Sequence, residues 1–266
     1  ADNAAEELTS EQLIRLIDPA CGSGHFLLGA FHRILARWQR REPGTNIRVL
    51  VQRTLDSLHG VDVNPFAIAI ARFRLLLAAM RASGVDRLTG APHFRLHLAC
   101  GDSLLHAPLR AGQKVLDFEL VSGNAKGEDR ECEHAYQAED LPELKRILRG
   151  GRYHAVVANP PYITPKDRLL NDRYRKRFQS CHMKYSLAVP FFERIFQLAV
   201  ADGFTGQITA NSFIKREFGK KMIESYLPTI DLTHVIDTSG AYIPGHGTPT
   251  VILFGRQRPP VSSTLR

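Results

Sequence analysis

The sequence predicts an α/β protein built on a doubly wound, mostly parallel sheet that ends in a C-terminal antiparallel hairpin. Three observations carry this reading. Short apolar runs alternate with longer stretches of helical periodicity along most of the chain. Several of these runs end in an acid or in a rigid Asn-Pro-Pro-Tyr loop, as strands do when their carboxyl ends line one crevice. A Gly/Pro-rich loop over 239–249 joins the last two apolar runs and suits a hairpin-like return.

The first strand is read over 14–18 and ends in Asp18. A tight turn at 22–24 follows, then an amphipathic helix over 26–41 carrying Phe26, Leu27, Leu28, Phe31, Ile34, Leu35 and Trp38 at near-helical spacing. A second strand, 59–62, ends in Asp62. An apolar helix over 65–83 leads to a third strand, 95–102, ending in Asp102. The stretch 106–150 is polar and rich in Gly, Glu and Asp, with one helix near 141–148. It reads as an irregular insert, an excursion from the core or a flap. Regular structure resumes with a strand over 153–158, which runs into Asn159, and a basic stretch, 166–177. A helix over 187–201, a strand over 207–210, a helix over 215–226 and strands over 234–237 and 250–254 complete the pattern. The core is therefore expected over 13–258, with a boundary segment at 1–12 and a tail at 259–266.

Composition narrows the class. The 266 residues are 44% hydrophobic and 23% charged, which fits one large globular domain. The formal net charge of +8 favours a polyanion, nucleic acid being the commonest, although a generic solvated basic surface gives the same number. Cys21, Cys100, Cys132 and Cys181 lie far apart with no CxxC pair, so neither a zinc site nor a disulfide framework is expected, and a reduced, cytoplasmic setting is. No apolar run approaches the ~18 residues of a membrane span, so no membrane partner is expected. The polar, acidic start is not a secretory signal.

Four motifs carry chemistry. In Asp18-Pro19-Ala20-Cys21-Gly22-Ser23-Gly24 the glycines let the backbone turn sharply and approach a ligand, or simply turn. The third glycine of a dinucleotide fingerprint and the Gly-Lys-Ser/Thr of a phosphate-binding loop are both missing. Asp62, in Gly60-Val61-Asp62-Val63-Asn64-Pro65, ends a strand where an acid can accept from ribose hydroxyls; Asp62 or Asn64 would serve equally as a helix cap. Asp102, in Cys100-Gly101-Asp102-Ser103-Leu104, could accept from an adenine amine or cap a turn. The decisive motif is Asn159-Pro160-Pro161-Tyr162. Two prolines remove donors and stiffen the loop, leaving the Asn159 side-chain oxygen and the Pro160 carbonyl as acceptors. Two acceptors aimed at a planar exocyclic amine favour a more pyramidal nitrogen with an available lone pair. Tyr162 offers a face for an extruded base.

With these motifs the chain resembles the amino-group DNA methyltransferases, in particular the adenine-N6 class in which the cofactor motif precedes the catalytic motif (the gamma order). The segments Gly206-Gln207-Ile208-Thr209-Ala210-Asn211-Ser212-Phe213 and Gly247-Thr248-Pro249-Thr250 are similar to that family's later core motifs. Around Gly24-His25-Phe26-Leu27-Leu28-Gly29-Ala30-Phe31 the chain looks most like the large methyltransferase of bacterial phage-exclusion systems of the phage-growth-limitation, or BREX, type. The resemblance implies a class I methyltransferase fold and S-adenosyl-L-methionine as cofactor, with Asp18, Ala20, Gly22 and Gly24 around its methionine part. It places Asp62 on the ribose and Asp102 with Ser103 near the adenine. Asn159, Pro160 and Tyr162 would hold the target base, and transfer would be direct, with no metal. Double-stranded DNA with a flipped adenine is the implied substrate, and defence-system proteins are the implied further partners.

Lys166, Arg168, Arg173, Arg175 and Lys176 follow the catalytic loop and are expected to contact DNA phosphates, with Tyr174 and Phe178 interleaved. Lys215, Arg216, Lys220 and Lys221 form a second basic group that serves equally as a solvated face. The family places a cofactor-binding segment upstream and a recognition domain downstream; neither is evident here, so a core without its recognition domain is expected. Two readings stay open beside DNA methylation. A protein-glutamine methyltransferase also uses Asn-Pro-Pro-Tyr, and a non-catalytic module could bind cofactor and DNA without turnover. Cytosine-N4 is compatible too, whereas cytosine-C5 chemistry needs a Pro-Cys nucleophile that the chain lacks.

Overall fold

The computed structural model describes residues 13–110, 140–240 and 248–261. The expected boundary segment, Cys132, Gly247 and most of the insert and of the hairpin loop lie outside these residues. A seven-stranded sheet forms the middle layer, in the order β3-β2-β1-β4-β5-β7-β6. Its strands are β1 (Leu16–Asp18), β2 (Leu58–Asp62), β3 (His97–Cys100), β4 (Tyr153–Ala158), β5 (Ala199–Ala210), β6 (Asp231–Asp237) and β7 (Thr250–Arg256). The first five run parallel, and β7 inserts antiparallel between β5 and β6. This is the doubly wound sheet with a C-terminal antiparallel hairpin that the sequence predicts.

One face of the sheet carries α1 (His25–Arg41), α2 (Ile47–Asp56) and α3 (Pro65–Ala82). Leu27, Phe31 and Leu35 from α1, Leu50, Val51 and Leu55 from α2, and Ile68 and Leu75 from α3 meet Leu98 and Cys100 there. The opposite face carries α4 (Leu141–Ile147), α5 (Arg168–Arg177) and α6 (Ala188–Leu198), packed on Ile17, Val61, Ala99 and Val156. Val61 and Ala99 thus face away from Leu98 and Cys100, as the two-residue period of a strand requires. Helix α6 is buried almost all round, including Glu193 and Arg194.

Several elements differ from expectation. Helix α2 is additional; Ile47, Leu50, Val51, Thr54 and Leu55 supply its stripe, and Asn46 caps it by accepting from the Arg48 amide at 2.9 Å. The basic stretch after Tyr162 is helix α5, capped by Asp167. Its Leu170, Tyr174 and Phe178 recur every four residues and pack against the core. Helix α4 does not leave the core, since Leu144 and Ile147 are buried in it. The helix read over 215–226 breaks into single turns at Ser212–Lys215, Glu217–Gly219 and Met222–Tyr226. Phe213, Phe218 and Met222 are drawn inward, and a side chain at Gly219 would collide with the Phe213 carbonyl. Strand β3 stops at Cys100, so Asp102 lies two residues beyond it.

Candidate active site

The strand order reverses between β1 and β4, and a doubly wound sheet opens a crevice at the carboxyl edge of such a switch point. Asp18 ends β1 and Asn159 follows β4, so the two motif loops flank that point. Asp62 ends β2, the next strand over. Parallel pairing of Asp18 with Gly60 and of Asp62 with Cys100 holds these ends level.

The Asp18 loop is built by backbone conformation and short bonds. Gly22 and Gly24 have φ of 51° and 82°, the left-handed region that glycine tolerates best. A side chain at Gly24 would also sit 3.0 Å from the Ala71 methyl, so Gly24 lets α1 cross close to α3. Above Gly22 the space is open: no atom lies within 4 Å of where a side chain would begin. Asp18 Oδ1 accepts from the Ala20 amide at 3.0 Å. The carboxyl is buried, which pushes its pKa up to about 7, with the Asp62 charge adding to the rise and the Ala20 hydrogen bond opposing it.

Asp62 ties two loops together. Its Oδ2 accepts from the Gly22 amide at 2.8 Å and its Oδ1 from the Asn64 amide at 2.9 Å. The helix-capping alternative falls to Asn64, which accepts from the Phe66 amide at 3.0 Å. Each Asp62 oxygen keeps a second lone pair for a ligand hydroxyl.

Asp102 and Ser103 are turned inward. Asp102 Oδ1 accepts from the Leu104 and Leu105 amides at 2.7 and 3.2 Å, and its Oδ2 from the Tyr174 hydroxyl at 2.5 Å. Burial raises its pKa, and these bonds oppose the rise. The Ser103 hydroxyl donates to the Pro19 carbonyl at 2.7 Å, pinning the Asp18 loop to the loop after β3. Arg194, which sequence reasoning passed over, holds that loop from below: its Nε donates to the Ser103 carbonyl at 3.0 Å.

In the second loop Pro160 is buried, while Asn159 is exposed and Tyr162 half-buried. The Tyr162 hydroxyl donates to Asn159 Oδ1 at 2.7 Å. Burial pushes the phenol pKa up to about 12, so it stays a donor across the physiological range. Phe26, read as part of the apolar stripe of the first helix, is instead exposed at this end of the sheet, and the exposed Phe66 after β2 and Ile163 and Ile214 after β4 and β5 were missed. Each follows a motif by one or two residues, which is the signal that could have found them.

The basic residues divide. Lys166 and Arg168 are exposed, whereas Arg173, Arg175 and Lys176 are partly buried. Arg175 lies 5.2 Å over the Tyr185 ring and donates to the carbonyls of Cys181 and Met183. Tyr174 faces Asp102 in the core rather than the surface. Lys215, Arg216, Lys220 and Lys221 are all exposed.

Sheet order, helical layers and glycine loop define a class I S-adenosylmethionine-dependent methyltransferase fold. A Listeria monocytogenes chain assigned to that class superposes with a TM-score of 0.51 at 12% identity, over 95% of this chain and 56% of the other. The chain belongs to the Eco57I restriction-modification methylase family, whose model matches residues 56–243. The adenine-specific methyltransferase PglX of Streptomyces coelicolor is 50% identical over 99% of this chain. This chain spans 22% of that relative's length. Among solved structures, a nuclease-deletion mutant of the Type ISP restriction-modification enzyme LlaGI, bound to a DNA substrate mimic, superposes with a TM-score of 0.63 at 13% identity. That match covers 97% of this chain and 21% of LlaGI. Among the described residues no helix is long and apolar enough to cross a membrane.

Proposed function

We propose that this chain forms the catalytic part of an enzyme that methylates the N6 amine of adenine in DNA, within a phage-defence or restriction-modification system. The observation that carries the proposal is the Asn159-Pro160-Pro161-Tyr162 loop at the switch point, beside the open turn at Gly22. Family membership and the likeness to PglX support it.

The residues present fit S-adenosylmethionine. The free space over Gly22 admits the methionine part of the molecule, and Asp62 presents lone pairs to the ribose hydroxyls. Asp18 sits where the ligand's positive charge would draw it toward its ionised form. Asp102 and Ser103 act as braces, because their polar atoms are engaged within the protein. When bound, S-adenosylmethionine supplies an electrophilic methyl group.

The chain's task is to orient the amine. Asn159 Oδ1 and the Pro160 carbonyl accept its two N–H groups, which favours a pyramidal nitrogen with its lone pair directed at the methyl group. Tyr162 stacks on the extruded base and yields Asn159 Oδ1 to the amine as the base arrives. Positioning of this kind is a recognised source of rate enhancement. Lys166 and Arg168 meet the DNA backbone, with Arg173 and Lys176 behind them; Arg175 mainly braces the loop over 181–183.

The test is transfer of label from S-adenosylmethionine to host DNA, followed by digestion to nucleosides. Label in N6-methyldeoxyadenosine is expected, together with its loss in Asn159→Ala at unchanged cofactor binding. Label confined to protein, or bound cofactor without transfer, would overturn the reading.

A further inference from the structure

A second cavity opens on the same face of the sheet as α4 and α6, at the opposite end from Asn159. It measures about 450 Å³ and is lined by His106, Lys145, Leu148, Arg149, Arg194 and Gln197, among others. Gly150 leads into β4 and Gln197 into β5, whereas Asn159 follows β4; six residues of strand at ~3.3 Å each put the two places about 20 Å apart. The mouth of the cavity at Gly150 and Gln197 therefore lies well away from Asn159, while Arg194 in its lining reaches the Ser103 carbonyl at 3.0 Å behind the crevice.

Its lining is cationic. Lys145, Arg149 and Arg194 carry the charge, and none of the described lining residues is an acid. Arg194 is fully buried, and a buried charge is ordinarily paired. Among the described residues the guanidinium meets neutral oxygens: the carbonyls of Ser103, His106 and Leu148 at 3.0, 3.5 and 2.7 Å, and Gln197 Oε1 at 3.4 Å. Asp102 is close enough to stabilise the charge but forms no ion pair with it among the described residues. The positive charge of Lys145, Arg194 and Arg177, after burial, also depresses the His106 pKa.

Helix C-termini normally attract cations, and α4 and α6 both end near this cavity. Their carbonyls are already satisfied from within. Arg194 takes Leu148, the Tyr153 hydroxyl takes Ile147 at 2.6 Å, and Arg152 Nη1 takes Arg146 at 2.8 Å. The Gly151 and Arg152 amides take Gln197 and Leu198 at 3.0 and 2.9 Å. What remains for a ligand is positive charge.

We propose that this cavity is a second ligand site, which binds a phosphate-bearing small molecule of about nucleotide size. Its volume lies within the ~300–1,000 Å³ of small-molecule sites. Lys145 and Arg149 at the exposed rim would meet the phosphates, above the fixed charge of Arg194.

Tripolyphosphate is the probe, titrated into the protein at constant ionic strength with S-adenosylhomocysteine saturating the crevice. Saturable binding and a rise in Tm are expected. The Lys145→Ala/Arg149→Ala double variant should weaken binding at least about tenfold while keeping its ligand-free Tm, because both side chains are exposed. A parallel titration with ADP identifies the source of the phosphate: tighter binding than tripolyphosphate marks a nucleotide, and equal or weaker binding marks free polyphosphate. No saturable binding up to about 10 mM, equal binding by the double variant, or binding of duplex DNA alone would overturn the proposal.

Discussion

The Tyr174 hydroxyl donates to Asp102 Oδ2 at 2.5 Å, with both side chains buried, so the helix after the Asn-Pro-Pro-Tyr loop is fastened to the loop after β3. Through Ser103 and the Pro19 carbonyl the same connection reaches the Asp18 loop. The loops after β1 and β3 are thereby held as one unit with helix α5.

Tyr174→Phe should cost about 1–3 kcal/mol, the range for leaving a buried polar group short of a partner. The loss should depend on pH. Burial holds the Asp102 pKa above its ordinary value, so ionising the group in the fold costs stability as pH rises through the folded pKa. Tyr174 reduces that cost by donating to the carboxylate. Denaturant melts should therefore show a loss that is smallest on the acid side of the raised Asp102 pKa, where the carboxyl is protonated, and that grows as pH rises through it. An equal loss on both sides would mean that Tyr174 contributes packing alone.

The acids and glycines of the site were legible in the sequence because a strand end followed by a tight turn is a local pattern. Their partners were not. Nothing near Asp102 says that its hydroxyl donor stands 72 residues away, and Tyr174 amid Arg173, Arg175 and Lys176 reads as a surface aromatic. Only the spacing of Leu170, Tyr174 and Phe178 marks the buried side of that helix. Arg194 shows the opposite limit: an arginine in an apolar helix reads as its wet face, whereas the structure satisfies it with three carbonyls from two separate segments, the loop after β3 and the end of α4. The doubly wound, mostly parallel sheet followed from the alternation of elements, but the break of the 215–226 helix rests on the close approach of Gly219 to the Phe213 carbonyl six residues before it, which periodicity does not announce.

His59 predicts an acid-labile core. It is buried between His97, stacked at 5.0 Å, and the Tyr153 ring at 5.1 Å, and its Nδ1 has no hydrogen-bond partner among the described residues. Burial, aided by the neighbouring positive charges, lowers its pKa to about 3. A folded value below the unfolded one means that the neutral ring's full stability is present above about pH 6.5 and is lost as pH falls toward 3, at up to about 1.4 kcal/mol per unit. His59→Phe should flatten that limb of the stability profile. A slope unchanged from wild type would assign the acid lability elsewhere.

If Asp18 borders the cofactor as proposed, cofactor binding should be proton-linked. With its pKa near 7, raised by burial, the carboxyl is about half protonated at neutral pH. This group, too, has a folded value above its unfolded one, so its stabilising effect is complete below about pH 4 and is lost as pH rises through 7. A cationic ligand reverses the preference and releases the proton. The affinity for S-adenosylmethionine should rise with pH, by at most about tenfold per unit, and level off above pH 7. Asp18→Asn should weaken binding and remove that part of the slope, which separates it from titration of the ligand's own amine. Calorimetry in buffers of different ionisation enthalpy measures the released proton directly. A wild-type slope in Asp18→Asn would remove Asp18 from the site.

Tyr162 separates two roles within one side chain. Its hydroxyl donates to Asn159 Oδ1; in the proposed function its ring would be the stacking face and that oxygen would be needed by the target amine. Tyr162→Ala removes the face. Stacking of a base on an aromatic ring is worth about 1–3 kcal/mol, so transfer should fall about ten- to hundredfold, with weaker extrusion of 2-aminopurine placed at the target position. Tyr162→Phe keeps the face and removes only a partly exposed hydrogen bond, one that must break when the base enters. Its rate should stay within about threefold of wild type. Cofactor affinity should be unchanged in both, since Tyr162 lies on the β4 side of the switch point and the Gly22 turn on the β1 side. If the Phe variant fell as far as the Ala variant, the hydroxyl would be part of the productive complex, and the displacement of Tyr162 from Asn159 would have to be abandoned.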